Sequence, residues 1–262
     1  MPFLKLLIVA DLHYSLPQFD WVVQVAGQYD AVILAGDLLD AAGFVGPAAQ
    51  VVVVRKYLQR LKQRTRLLVC SGNHDLDALG VNGEKQAVWL ETVRRMDIPV
   101  DGDTLTIGEW LVTICPWWDG PQTQQAIDAQ LRSAAAQRKG KWIWVYHAPP
   151  ADSPIAWGGE RFFGDASLSK WVGQYQPDIV FCGHVHEAPF VRNGSWADRI
   201  GETWLFNAGR QIGDIPTAIS VETDRGEAAW FSLEGAESVK LDAPLMRPIQ
   251  AIEAMPDWMG TP

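Results

Sequence analysis

The chain has few of the residues that mark secreted, disulfide-stabilised proteins. Only three cysteines occur among its 262 residues, Cys70, Cys115 and Cys182, and each lies in or at the end of an apolar run. They are odd in number and lack the spacing of a metal-binding motif. Buried, reduced thiols are therefore the simpler interpretation, and they favour a cytoplasmic location.

Basic residues are outnumbered as well. The 22 Lys and Arg stand against 31 Asp and Glu, which gives a formal net charge of -9. Proteins that bind long duplex nucleic acid need a basic surface to neutralise phosphates, so we expect no such partner. A small phosphorylated substrate is compatible with this charge, because bound metal ions can reverse the sign of the local field.

Long apolar runs are also missing. The first run, LLIVA, follows Lys5 but ends at once at Asp11 and has no cleavage pattern, and no run reaches the length of a membrane span. We therefore expect neither a secretion signal nor a membrane partner. Nothing in the sequence indicates an oligomeric state.

What the sequence does contain is a regular alternation of short apolar runs and helical patterns. Runs without polar alternation predict strands that are covered on both faces. These strands are LKLLIVA (4–10), AVILA (31–35), RLLVC (66–70), WLVTI (110–114), KWIWVY (141–146) and DIVFC (178–182). The predicted helices cover residues 20–29, 47–64, 84–96, 122–138 and 165–175, the last with Asp165 as its N-cap. Such alternation is typical of β-α-β crossovers.

After residue 188 the pattern changes to closely spaced strand candidates separated by turn signals. They are PFVR (189–192), TWLFN (203–207), TAISV (217–221) and AAWFS (228–232). An antiparallel second half favours an α/β fold with a two-sheet mixed β-sandwich over a plain doubly wound sheet. We expect one domain over residues 1–232, and a C-terminal extension over 233–262 that packs on this domain or on a partner.

All five histidines follow predicted strands, together with two aspartates and an asparagine. In chain order these strand-end residues are Asp11, His13, Asp37, Asn73, His74, His147, His184 and His186. Loops at the carboxyl ends of parallel strands share one rim of an open sheet, where ligands bind. A single histidine or aspartate there is often only a loop residue or a helix cap, but that explanation does not account for five histidines in the same kind of place.

The residue types at this rim indicate metal binding. His184 and His186 lie two residues apart, as do Asp11 and His13, so each pair can point the same way from extended chain. Imidazole and carboxylate ligands without a thiolate suit Zn, Mn or Fe. The candidates are too many for one tetrahedral ion, whereas two ions about 3.5–4 Å apart that share a carboxylate would use them.

Five ordered blocks resemble the calcineurin-like metallophosphoesterase superfamily: D-x-H (11–13), G-D-x-x-D (36–40), G-N-H-D (72–75), H (147) and G-H-x-H (183–186). The resemblance implies a metallophosphoesterase-like αββα fold, a β-sandwich flanked by helices, with two divalent or mixed-valence ions. It implies one ion bound by Asp11, His13 and His186, and another bound by Asn73, His147 and His184, with Asp37 as the bridge. It also implies that His74 is the catalytic histidine beside the substrate and that Asp40 orients it.

The chain departs from one branch of that superfamily. Ala41 and Ala42 stand where Ser/Thr protein phosphatases have Arg-Gly, and Asp75 stands where they have Glu. The chain resembles more closely the bacterial phosphodiesterase branch, which includes cyclic-nucleotide and glycerophosphodiester hydrolases. We therefore expect in-line hydrolysis of a phosphodiester, in a small molecule or a nucleotide, by a metal-bound hydroxide. His74 is the expected general acid.

Two other functions remain open. One is a catalytically silent interaction module with the same fold, which would resemble a retromer scaffold subunit, although every ligand position here is filled. The other is a nuclease of the same superfamily. Substrate choice is expected to depend on the loops at 116–121 and 148–164, and the paired Trp117 and Trp118 are candidates to line a substrate cleft.

Overall fold

The computed structural model describes residues 4–246 and contains two large mixed sheets. The strands are β1 (Lys5–Val9), β2 (Ala31–Ala35), β3 (Arg66–Cys70), β4 (Ala78–Leu79), β5 (Lys85–Gln86), β6 (Thr104–Ile107), β7 (Trp110–Ile114), β8 (Lys141–Val145), β9 (Ile179–Cys182), β10 (Ala197–Ile200), β11 (Thr203–Asn207), β12 (Ala218–Glu222), β13 (Glu227–Ser232) and β14 (Gly235–Lys240). The α-helices are α1 (Leu16–Val25), α2 (Pro47–Lys62), α3 (Leu90–Arg94), α4 (Pro121–Gln137) and α5 (Ala166–Tyr175).

The two sheets have the orders β14-β13-β12-β1-β2-β3 and β10-β11-β9-β8-β7-β6. In the first sheet β1, β2 and β3 are parallel, and in the second β7, β8, β9 and β11 are parallel. The remaining pairings within these two sheets are antiparallel. The expected mixed, two-sheet sandwich is therefore confirmed.

The apolar runs bury both faces of the central strands, which accounts for their lack of polar alternation. In β2, Ile33 belongs to the core between the sheets, whereas its neighbours Val32 and Leu34 pack with α1 and α2 on the outer side. In β8, Ile143 faces the same central core, whereas Trp142 and Trp144 pack with α4 and α5. The period of two along each strand thus distributes side chains to three apolar layers, giving an αββα arrangement.

The predicted helix over residues 84–96 is wrong. Residues 84–96 do not form one helix: only Leu90–Arg94 is α-helical, and Lys85–Gln86 pairs with β4. One reason lies in Glu84, whose carboxylate accepts the backbone N–H groups of Gln122 and Thr123 at 2.7 and 2.8 Å and so caps α4. That long-range hydrogen bonding holds Glu84 in a loop.

Residues 189–192 form a turn and not the expected strand. The N–H groups of Phe190 and Val191 both bond to the carbonyl of Glu187, at 2.8 and 3.1 Å, and Asn193 has a positive φ of 68°. The strand forms later, as β10. Helix α1 also begins earlier than predicted, at Leu16, because Pro17 suits the first turn of a helix.

The C-terminal segment begins as part of the first sheet. Strand β14 pairs antiparallel with β13 and forms its edge, so the expected boundary after residue 232 falls inside a hairpin. Residues 247–262 of the expected extension lie outside the described residues. None of the described helices has the length and apolarity needed to cross a bilayer.

Candidate metal centre

The polar residues predicted from the sequence come together at one rim of the sandwich. The rim is formed by the carboxyl ends of the parallel strands of both sheets, as the alternation of strands and helices indicated. The rim residues are Asp11 and His13 after β1, Asp37 and Asp40 after β2, Asn73 and His74 after β3, His147 after β8, and His184 and His186 after β9.

Asp11, His13 and His186 form the first group of potential ligands. The Nε2 atoms of the two histidines lie 3.0 Å apart, and Nε2 of His186 lies 3.4 Å from Oδ1 of Asp11. Asp11 is fully buried, and its carboxylate accepts the backbone N–H of His184. Two imidazole nitrogens and a carboxylate oxygen therefore converge on one point.

Asp37, His147 and His184 form a second group. Nε2 of His147 lies 3.3 Å from Oδ2 of Asp37, and Nδ1 of His184 lies 2.9 Å from Oδ1 of Asn73. Asn73 is thus within reach of this group.

Asp37 lies between the two groups. Its Oδ2 atom is 3.7 Å from Nε2 of His13, and it also belongs to a third group of potential ligands with His13 and His74. Its other oxygen, Oδ1, accepts the backbone N–H of His74 at 2.8 Å. Asp37 is therefore close to ligand atoms of both groups.

The hydrogen bonding of His147 shows that the site fits a metal ion. Its Nδ1 atom lies 2.7 Å from the carbonyl of Ala35 and donates to it, so the neutral ring presents an unprotonated Nε2. That Nε2 atom is buried and, although it lies 3.3 Å from Oδ2 of Asp37, it makes no well-formed hydrogen bond within the described part of the chain. A buried nitrogen without a partner is costly, and a histidine held by a carbonyl through its other nitrogen is the usual arrangement of a metal ligand.

The backbone at the rim is strained. Asp11, His13, Asp37 and His184 all adopt positive φ, with values of 56°, 41°, 53° and 71°. Each such residue costs on the order of 1–3 kcal/mol, and residues of this kind cluster at functional sites. The strain turns the side chains inward immediately after each strand.

Two glycines allow the strands to approach this closely. A Cβ atom on Gly183 would lie 2.5 Å from Oδ2 of Asp11, and one on Gly36, where φ is +98°, would lie 2.6 Å from Cγ of His147. These close contacts explain why glycines precede Asp37 and His184 in the sequence.

Asp75 is a positioning residue that the sequence analysis treated only as a departure from the protein phosphatases. It is fully buried, and it accepts the backbone N–H groups of Leu38, Leu39 and Gly72 at 3.0, 2.9 and 2.8 Å. It therefore joins the loop after β2 to the loop after β3. The only signal in the sequence was a carboxylate directly after G-N-H.

His74 is held differently from what the sequence analysis expected. Its Nδ1 atom lies 3.8 Å from Asp40, which is beyond hydrogen-bond length, and it accepts the backbone N–H of Ala41 at 3.1 Å. Asp40 instead accepts the N–H of Ala42. Asp40 therefore does not take the ring proton, and the neutral ring carries its proton on Nε2.

A cavity of about 400 Å³ adjoins the rim. Its lining comprises the aromatic side chains of Trp117, Trp118 and Phe163, residues 164–167 at the start of α5, and His184. The Trp117 ring lies 5.1 Å from that of His184, centroid to centroid. Both tryptophans of the 116–121 loop thus line a cleft beside the candidate ligands.

The buried charges stabilise one another. Burial opposes ionisation of Asp11 and Asp37, but His186 and His147 respectively outweigh it and hold the pKa of each carboxyl below its usual range. Burial likewise lowers the pKa of His147, but Asp37 and Asp11 outweigh it and raise the pKa to about 10. In the metal-free protein at pH 7, His147 is therefore protonated.

The family described as calcineurin-like phosphoesterase matches residues 4–188, more than two thirds of the chain, and that range includes every predicted ligand. The chain belongs to this family. Among curated proteins, none matches it.

Solved structures share the fold at low sequence identity. TT1561 of Thermus thermophilus is 14% identical, with 92% of this chain and 100% of that chain covered and a TM-score of 0.59. Purple acid phosphatase PPD1 from yellow lupin seeds is 14% identical, with 95% and 57% covered and a TM-score of 0.57. Haemophilus influenzae NAD nucleotidase is 12% identical, with 91% and 49% covered and a TM-score of 0.52.

Replacing Asp37 with Asn should lower the number of metal ions bound per chain, because a neutral amide cannot balance the cations that the two ligand groups beside it would hold. Metal content of the purified, reconstituted variant would be measured by elemental analysis. Asp40→Asn, in the same loop, is the matched control and should keep the metal content of the unmodified protein. A variant at position 37 that holds two ions would show that Asp37 is not a bridge.

Metal binding should release protons near pH 7. Burial lowers the pKa of His13 and of His184 to about 4, so these rings are already neutral, whereas His147, with a pKa of about 10, must lose its proton. The affinity for metal should therefore rise with pH, by roughly tenfold per unit for each proton released, until His147 deprotonates near pH 10. Calorimetry in buffers of different ionisation enthalpy counts these protons, and an affinity that does not change between pH 6.5 and 9 would contradict the assignment.

Proposed function

We propose that this chain is a dinuclear metal-dependent phosphodiesterase that acts on a small molecule or a nucleotide. The observation that carries the proposal is the arrangement of two donor groups about one shared carboxylate: Asp11, His13 and His186 on one side, and His147 and His184 on the other, with Asp37 between them. Asn73 completes the second group. Mn, Fe and Zn all accept such nitrogen and oxygen ligands.

When bound, two divalent ions would supply charge neutralisation and lower the pKa of a coordinated water. The residues of the chain supply the rest. The carbonyl of Ala35 and the amide N–H groups around Asp37 hold the ligands in place before the substrate arrives, so little reorganisation is needed during the reaction. His74, with its proton on Nε2, can protonate the leaving oxygen.

The cavity beside His184 supports a diester over a monoester. A diester carries a second organic group, and a pocket of about 400 Å³ lined by three aromatic rings suits such a group. The carboxylate of Asp165 is already engaged, since it accepts the indole N–H of Trp118 and the N–H of Ser167 at 2.9 and 2.7 Å. The cavity lining contains no Lys or Arg, which favours a neutral substituent over a second phosphate.

The alternatives have weaker support. A silent interaction module would have no need for buried aspartates and histidines at strained backbone positions, which are costly to keep without an ion. A nuclease acting on long duplexes would need a basic surface, and the net charge is -9. The cytoplasmic location stays a prediction; the three cysteines are buried and free, in keeping with it.

The metal-reconstituted protein should hydrolyse bis(p-nitrophenyl) phosphate faster than p-nitrophenyl phosphate. The reason is that the aromatic cavity can bind the second aryl group of the diester and has nothing to bind in the monoester. Release of p-nitrophenolate is followed for both substrates, with Asp37→Asn as the background control. Turnover of the monoester alone would overturn the phosphodiesterase proposal and leave a phosphomonoesterase.

His74→Ala should lower kcat by about 100- to 10,000-fold with little change in metal content, because only proton donation is removed. The loss should be smaller for a p-nitrophenyl ester than for an alkyl ester, whose leaving oxygen needs the proton more. Asp40→Asn should lower kcat less than His74→Ala does, since the backbone N–H of Ala41, and not Asp40, fixes the His74 ring.

The comparison of rate with metal content decides the role of His74. His13, Asp37 and His74 offer ligand atoms that lie within 4.8 Å of one another, so metal binding by His74 is the specific alternative. Loss of an ion from the His74→Ala variant would identify His74 as a ligand and not as the acid.

A further inference from the structure

Arg210 enters the rim from a strand that the sequence analysis did not connect with the site. Strand β11 is parallel to β9, with Asn207 opposite Cys182, so the carboxyl ends of both strands lie on the same side. The turn after β11 brings Arg210 next to the G-H-x-H loop, and its backbone N–H donates to the carbonyl of His186 at 3.1 Å. Arg210 thus lies directly beside one of the candidate metal ligands.

The turn that carries Arg210 is fixed. The side-chain amide of Asn207 donates to the carbonyls of Ile155 and Val185, at 2.9 Å each, and its oxygen accepts the N–H of Gly209. The hydroxyl of Thr217 donates to the carbonyl of Gly209 at 2.6 Å. A loop held by four hydrogen bonds positions the residue that follows it, and such pre-organisation is expected at binding sites.

The guanidinium of Arg210 lacks a partner within residues 4–246. Its Nε atom is buried without a hydrogen bond, and no ion pair joins the group to a described carboxylate. Arg199, whose Nε atom is likewise buried without a hydrogen bond, differs because its Nη2 atom pairs with Glu202 at 2.5 Å. An unpaired N–H group away from water is costly, so a ligand that supplies acceptor oxygens would be bound with a gain in free energy.

Because its backbone N–H bonds to the carbonyl of His186, Arg210 lies on the side of the rim where Asp11, His13 and His186 converge.

We propose that Arg210 binds the non-bridging oxygens of the phosphoryl group of the substrate. The inference rests on the proposed function, since it places a phosphate ester at the rim. A guanidinium presents N–H donors in a planar fork that matches two phosphate oxygens, and it stays charged at any working pH. In a chain with a net charge of -9, a fixed cation beside the metal ligands also favours entry of an anion. Arg210 is thus a substrate-binding residue and not a metal ligand.

The test measures binding of inorganic phosphate to the metal-loaded protein by calorimetry, together with metal content. Arg210→Gln should weaken phosphate binding by roughly 10- to 100-fold, because a charged hydrogen-bonding partner is lost, and it should leave the ions in place. The phosphate affinity of Arg210→Lys should lie between those of Arg210→Gln and the unmodified protein, since lysine keeps the charge but lacks the planar array of N–H donors.

Arg225→Gln is the matched control. Arg225 pairs with Glu222 at 3.0 Å. Glu222 is the last residue of β12 and lies opposite Lys5, the first residue of β1. The ion pair is therefore at the opposite end of the sheet from the rim. This substitution removes the same charge and should leave phosphate affinity unchanged.

The outcomes separate this inference from the proposed function. If Arg210→Gln binds phosphate within twofold of the unmodified protein, or if it loses metal together with phosphate affinity, Arg210 does not bind the phosphoryl group. Failure of the unmodified, metal-loaded protein to bind phosphate would overturn the inference as well. If phosphate binding depends on Arg210 but no diester is hydrolysed, the inference stands and the phosphodiesterase proposal fails.

Discussion

Two buried carboxylates set the main constraint on this structure. Asp11 and Asp37 are 0% and 1% exposed, and each would repel the other without positive charge beside it. In the metal-free protein protonated His147 supplies that charge, with its Nε2 atom 3.3 Å from Oδ2 of Asp37. The strained backbone at both aspartates and the close approach at Gly183 follow from bringing these groups together.

The sandwich meets this constraint because its two parallel strand sets end at the same rim. Strand β1 carries Asp11 out of the first sheet, and β8 and β9 carry His147 and the G-H-x-H loop out of the second. Loops joined by Asp75 and by the Asn207 side chain then fix the order of the residues around the rim. The packing of the core between the sheets sets the positions of the ligand residues. The hydrogen bonds of Asp75 and Asn207 set the orientations of the loops that carry them.

The sequence predicted the parts that local patterns encode. Fully apolar runs such as AVILA at 31–35 identified buried strands, and the polar residues directly after them identified the rim. It could not predict features that depend on distant parts of the chain, such as Glu84, which caps a helix nearly 40 residues later and so breaks an expected helix. The tautomer of His74, which is fixed by the backbone of Ala41, also required the structure, as did the buried Nε of Arg210, which has no hydrogen-bond partner among residues 4–246.

The central claim is that the rim holds two ions that share Asp37. The most direct measurement is electron paramagnetic resonance of the protein loaded with Mn²⁺. Two ions bridged by one carboxylate should give an exchange-coupled spectrum whose hyperfine lines are more closely spaced than those of an isolated Mn²⁺, and saturation should occur at two ions per chain. A spectrum of isolated Mn²⁺ alone at saturation, or binding that stops at one ion per chain, would contradict the account.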